Sequence, residues 1–221
     1  MSEDEYTVEI IEDKDVEDVM ELLQRTFFVD EPLNKAVDLL YQQGSNCPEL
    51  EEYCRKDMLE GLSVKAVDKN GKIVGVCING ISPLKEEDNG NDLLSQAQRC
   101  PNPKFQKILH ILARREAGAK LWEKFPGDQY LVEVKVTATD PEWRRKGIMN
   151  RLVKETERLV KQRNIRLLRL DTSSFYSAKS AQSQHFTCVY AALYSDLKLD
   201  GVPLIVPEPP HLEDRVYIKQ L

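Results

Sequence analysis

Between residues 132 and 160 the repeat of the chain switches from two to about 3.6 with no linker, so a strand, a turn and a helix must follow one another directly. Val132, Val134 and Val136 alternate with Glu133, Lys135 and Thr137, as in a half-buried strand. Asp140-Pro141 ends that pattern. Past Gly147, Ile148, Met149, Leu152, Val153, Leu159 and Val160 recur at helical spacing, with Arg151, Lys154, Glu155 and Arg158 between them. The junction itself is basic: Trp143-Arg144-Arg145-Lys146-Gly147. The first turn of a helix leaves backbone N–H groups unpaired and carries the positive end of its dipole, so a diphosphate suits this place. It would meet the amides of Arg144, Arg145, Lys146, Gly147, Ile148 and Met149, and Gly147 would let it approach closely.

A chain of 221 residues that is 41% hydrophobic and 31% charged can bury one good core, and residues 1–221 are expected to form a single soluble domain. The acidic start Met1-Ser2-Glu3-Asp4-Glu5 resembles neither a secretory signal nor a transit peptide, and no stretch approaches the roughly 20 apolar residues of a membrane span. A cytoplasmic location without membrane attachment is expected. Cys47, Cys54, Cys77, Cys100 and Cys188 form no C-x-x-C pair, and His110, His185 and His211 lie far apart, so neither a disulfide framework nor a metal site is expected. Acids dominate residues 1–31 and bases dominate 135–169. The basic stretch has little aromatic interleaving, which argues against a nucleic-acid partner; most of its charges read as solvated helix faces.

Elsewhere, Thr7 to Ile11 reads as a strand. A helix capped by Asp13 or Asp15 follows and stops near Asp30-Glu31-Pro32, because proline disfavours helical geometry in the residue before it. Further helices are expected over Asn34–Gln42, within 44–61, at Leu93–Arg99 and from Phe105 onward. Leu62–Val67 and Ile73–Asn79, joined by Asp68-Lys69-Asn70-Gly71, read as a hairpin, and Ser82–Pro103 as a polar excursion. Strands at Ile165–Asp171, Phe186–Tyr194 and Arg215–Lys219, a helix at Ser174–Gln184 and a stiff proline-rich loop over 201–210 complete the chain.

Neither G-x-G-x-x-G nor G-x-x-x-x-G-K-[ST] occurs. Arg144-Arg145-Lys146-Gly147, set between strand and helix, resembles the acetyl-CoA motif Q/R-x-x-G-x-G/A of the GNAT N-acetyltransferase superfamily, with Met149 in place of the last small residue. Thr26-Phe27-Phe28-Val29-Asp30-Glu31-Pro32-Leu33-Asn34, Ser173-Ser174-Phe175-Tyr176-Ser177-Ala178 and Pro209-Pro210-His211 resemble, in that order across nearly the whole chain, the insect arylalkylamine N-acetyltransferases. The resemblance implies an α/β (α+β) GNAT fold: a mixed, mostly antiparallel twisted sheet of about seven strands with helices on both faces. It also implies a monomer that moves the acetyl group of acetyl-CoA, without a metal, to a small-molecule amine such as dopamine, serotonin or tyramine.

An ammonium has no lone pair, so a base must take its proton before nitrogen attacks the thioester. By the resemblance that base is Glu31. Phe27, Phe28, Pro32 and Leu33 would raise its pKa if they surround it in space; the plainer reading is that Asp30-Glu31 ends a helix before Pro32. Ser173 and Ser177 match serines that assist proton relay or substrate positioning, although Ser173 or Ser174 could simply cap the next helix. Thr137, Ala138 and Thr139 fall where the family's fourth strand offers backbone groups to the acetyl carbonyl and pantetheine, and Ser177 adjoins the same cofactor. Phe27 and Phe28 would wall an aromatic acceptor pocket, but at helical spacing one must face the core. The tyrosine that protonates the leaving thiolate in many relatives is Ala181 here; Ser177, Tyr176 or solvent would substitute. Acetylation of polyamines or other non-aromatic amines, and non-catalytic CoA sensing, are the alternatives.

Overall fold

The computed structural model describes residues 5–40, 46–85 and 90–221. Its elements are β1 (Tyr6–Ile10), α1 (Val16–Gln24), α2 (Phe27–Asp30), α3 (Pro32–Ala36), α4 (Pro48–Arg55), β2 (Val64–Asp68), β3 (Ile73–Pro83), α5 (Asn91–Arg99), α6 (Pro103–Ala119), α7 (Leu121–Lys124), β4 (Tyr130–Thr139), α8 (Ile148–Gln162), β5 (Leu167–Thr172), α9 (Phe175–Ser183), β6 (Thr187–Leu193), β7 (Lys198–Leu199), β8 (Val202–Pro203) and β9 (Glu213–Gln220). Seven strands form one sheet in the order β1-β2-β3-β4-β5-β9-β6, antiparallel except where β4 runs parallel to β5. Helices cover both faces. On one, Leu22, Leu23, Phe28, Leu33, Leu50 and Ile108 of α1 to α6 pack with Ile78 and Val136. On the other, Leu152, Val153 and Val160 of α8 and Ala178 of α9 pack with Val134 and Leu168.

The hairpin of β2 and β3 closes as the Asn-Gly signal predicts. The Asp68 carboxylate accepts from the N–H groups of Asn70 and Lys72, and Gly71 takes φ of +83°. α8 then lies so near β3 that a Cβ on Gly75 would stand 2.6 Å from Ile148, which makes glycine a packing requirement there.

Three expectations are corrected. The first helix is not continuous to Asp30: it breaks at Thr26, whose hydroxyl donates back to Leu22 O at 2.5 Å while its own backbone leaves the helical region. The next helix is the short α3, opened by Glu31 and ended where Asp38 turns to positive φ; positions 41–42 of its expected span lie outside the described residues. The one helix expected within 44–61 is present as α4. Strand β3 does not stop at Asn79, because Ile81 and Ser82 still find partners in Val132 and Leu131 of β4.

β4 carries the feature that shapes the molecule. Val134 pairs with Asn79 and Val136 with Ile78, so Lys135 is an extra residue, a bulge. The bulge reverses the face the strand presents: Val132 and Val134 join the α8 core, whereas Val136 and Ala138 join the opposite one. Pairing with β5 also ends there, at Val134 with Leu170. Beyond it the two strands part.

Candidate active site

A cavity of about 640 Å³ fills the opening between β4 and β5. At one end lies the predicted anion cradle. Asp140 accepts from the Glu142 N–H at 3.0 Å and starts a single helical turn over Pro141–Trp143. Gly147 takes φ of +74° at the N-terminus of α8, no side chain caps that helix, and no atom lies within 4 Å of where a Cβ on Gly147 would be. Arg144, Arg145, Gly147, Ile148 and Met149 all line the cavity, with Thr137, Ala138 and Thr139 of β4. Lys146 departs from the expected set: its ammonium sits 4.2 Å over the Trp143 ring and 3.8 Å from Glu5. The guanidinium of Arg144 pairs with Asp30 at 2.5 Å. Of the other bases in the 135–169 stretch, Arg158, Arg166 and Arg169 are held by Glu155, Asp128 and Asp171.

Glu31 lines the same cavity. It ends α2 ahead of Pro32, as the plainer sequence reading has it. It caps α3, accepting from the Asn34 N–H at 2.7 Å, and its carboxylate still borders the open space. Solvent reaches part of the residue, yet protein packs densely around the carboxyl group. That burial raises its pKa above the ordinary value; Ser173 beside it, the N–H groups of Asn34 and Leu33, and more distant Arg115 favour the charged form but do not cancel the effect.

The adjacent serines divide their tasks. Ser174 caps α9, accepting from the Tyr176 N–H at 3.1 Å, which leaves the Ser173 side chain to the cavity. Tyr194 donates to the Ser173 carbonyl at 3.1 Å and fixes this turn. Ser177 lines the cavity, with its hydroxyl donating to Ser174 O at 2.9 Å. Ala181 is fully buried on the inner face of α9, whereas Tyr176 is exposed at the cavity edge. The two phenylalanines part as helical spacing requires. Phe27 lines the cavity, and Phe28, 2% exposed, belongs to the core and not to the acceptor wall.

Sequence reasoning missed the inner wall. Tyr53 and Leu50 of α4, Ile108, Leu112 and Arg115 of α6, and Glu133, Lys135 and Asp171 line it. Arg115 is held there by Asp214, at 2.6 and 2.9 Å, and by Asp171 at 3.1 Å; Arg169 in turn bridges Asp171 and Glu116. The signal available was the pair of charges, Glu133 and Lys135, inside an otherwise apolar strand.

Comparison with known proteins follows the same lines. The model of the acetyltransferase (GNAT) family matches residues 16–181. Arylalkylamine N-acetyltransferase 2 from Aedes aegypti is 28% identical and superposes with a TM-score of 0.89 over 97% of this chain and 98% of its own. Two others share the fold at lower identity. They are a Drosophila melanogaster polyamine N-acetyltransferase that forms N-acetylagmatine (22%, TM-score 0.85, 98% of this chain and 100% of its own) and an agmatine N-acetyltransferase variant (21%, TM-score 0.86, 99% and 100%).

Proposed function

Because the chain belongs to the GNAT acetyltransferase family, we propose that it transfers the acetyl group of acetyl-CoA to the primary amine of an arylalkylamine of the dopamine, serotonin or tyramine type, with Glu31 as general base. One observation carries this reading: a single cavity joins the uncapped N-terminus of α8 to the Glu31 carboxylate. The acetyl carrier fits the first of these. Gly147 leaves room for a diphosphate against the amides of the turn, and Arg144 and Arg145 add charge.

Glu31 takes a proton from the bound ammonium, directly or through water, and its raised pKa brings it closer to a useful base at neutral pH. The freed nitrogen attacks the thioester carbonyl. Backbone N–H groups near Thr137 to Thr139 steady the oxyanion; that β4 has parted from β5 there supports this. The thiolate then leaves and takes up the proton that the nitrogen sheds as it becomes an amide, through solvent or through the hydroxyls of Tyr176 or Ser177, which line the cavity on α9. Phe27, Leu33, Phe105 and Ile108 supply the apolar surface an aryl group needs.

Glu133 favours a second acceptor class, the polyamines and other non-aromatic amines, since a carboxylate among those apolar residues attracts another charge. A pure CoA sensor would have no use for a buried carboxylate at the acceptor end. The test is release of free thiol from acetyl-CoA across a panel of aromatic and aliphatic amines. Release with arylalkylamines is expected; no release with any amine would refute acetyl transfer.

A further inference from the structure

We propose that Glu133 is a specificity determinant of the acceptor end, receiving a second cationic group, ammonium or guanidinium, at the far end of the amine. The inference rests on acetyl transfer at this cavity and extends its acceptors beyond arylalkylamines.

Glu133 stands on the paired side of the β4 bulge, opposite Gly80 on β3 and Arg169 on β5, and lines the cavity. Among the described residues, the cations nearest to it are already engaged. Arg115 holds Asp214 and Asp171, Arg169 holds Asp171 and Glu116, and Lys135 pairs with Asp57. Gly80 helps to keep that last pair in place, since a Cβ there would stand 2.9 Å from the Asp57 carboxylate and 3.1 Å from the Lys135 side chain. The Glu133 carboxylate has no hydrogen-bond or ion-pair partner among the described residues. Solvent reaches part of the residue, and a partly desolvated carboxylate without a partner gains from a cation brought to it. Protein packed around the carboxyl group pushes the Glu133 pKa up, against the pull of Arg169 and Lys135, and the Tyr53 phenol nearby stays protonated because burial and the charge of Glu133 both oppose its ionisation.

The wider balance has the same sign. Of the charged residues that line the acceptor end, Glu31, Glu133 and Asp171 outnumber Arg115 and Lys135. Leu50, Ile108 and Leu112 line the same region and suit the methylenes of an alkyl chain. A monoamine answers Glu31 alone. A dication answers both carboxylates.

The experiment is calorimetric titration of the protein, saturated with CoA, with putrescine, cadaverine and agmatine against butylamine and pentylamine, repeated on Glu133→Gln. The dications are expected to bind the wild type about tenfold or more tighter than the monoamines, as for a charge-assisted hydrogen bond, and to lose that advantage in the variant. Equal binding of dications and monoamines by the wild type, or an advantage that survives in Glu133→Gln, would overturn the proposal. So would a variant whose one altered preference is tyramine over phenethylamine, which would assign Glu133 to a neutral hydroxyl. Should Glu133→Gln fail to fold, Glu133→Asp keeps the charge and is expected to keep the preference for dications; its loss there counts against the proposal. Thiol release measured in parallel reads acetyl transfer separately, so failure of the one is distinguishable from failure of the other.

Discussion

Replacing Glu31 with glutamine removes the proton acceptor and little else. The amide keeps an oxygen for the Asn34 N–H, so the cap on α3 survives, and even its full loss would cost only about 1 kcal/mol. The fold also sheds a desolvated charge, because burial had raised the Glu31 pKa, so the melting temperature should hold or rise. Turnover is another matter. A positioned general base contributes about 10²–10⁴-fold, or roughly 3–5 kcal/mol of barrier, and kcat should fall by that range with acetyl-CoA affinity unchanged. The pH profile gives the sharper reading. In the wild type kcat/KM should climb with pH as Glu31 loses its proton, at a pH above the ordinary carboxylate range; that limb should vanish in the variant. Thiol release at saturating acetyl-CoA, with calorimetry for the cofactor, measures both. A variant within about threefold of wild-type turnover, or one that keeps the acidic limb, would refute the assignment of the base.

Ser173→Ala removes a hydroxyl that favours the charged form of Glu31, so the same acidic limb should move to higher pH, with Ser177→Ala moving it less because that hydroxyl is spent on Ser174. Gly147→Glu sets an anion at the cradle and forces a side chain into φ of +74°; acetyl-CoA should bind about tenfold or more weakly, and Gly147→Ala should lose less. Asp140 is 2% exposed, and although burial opposes its ionisation, Lys72 and Arg25 hold its pKa below the ordinary value. Its contribution is therefore present above the unfolded pKa of about 3.9 and lost as pH falls through the lower folded value. Asp140→Asn should cost about 2 kcal/mol in urea unfolding at neutral pH, less than a fully buried pair because both partners are partly exposed, and the difference should shrink in acid.

What could be read from the chain alone was local. The Asn-Gly turn after Asp68, the basic junction before α8 and the helix end at Asp30-Glu31-Pro32 each depend on residues within a few places of one another. The bulge at Lys135 left no trace in the valine alternation, because Val136 is apolar whichever core it enters. The break at Thr26 was hidden likewise, since threonine is tolerated inside helices. Most of the acceptor wall was out of reach: Ser173 was named only through the family resemblance, and Tyr53, Arg115 and Glu133 meet only after three distant segments have been laid against one sheet. Phe27 and Phe28 were separable in principle but not in identity, because helical spacing says that one must turn inward without saying which.

Just three rungs, Val132 to Val134 against Leu168 to Leu170, stitch the sheet's left half to its right. A reactant wedged into the open seam above them is thus also a missing piece of masonry. Filling it should clamp the halves together and slow hydrogen exchange along that narrow isthmus, so that the protein grips hardest, as an object, at the moment it is loaded to react.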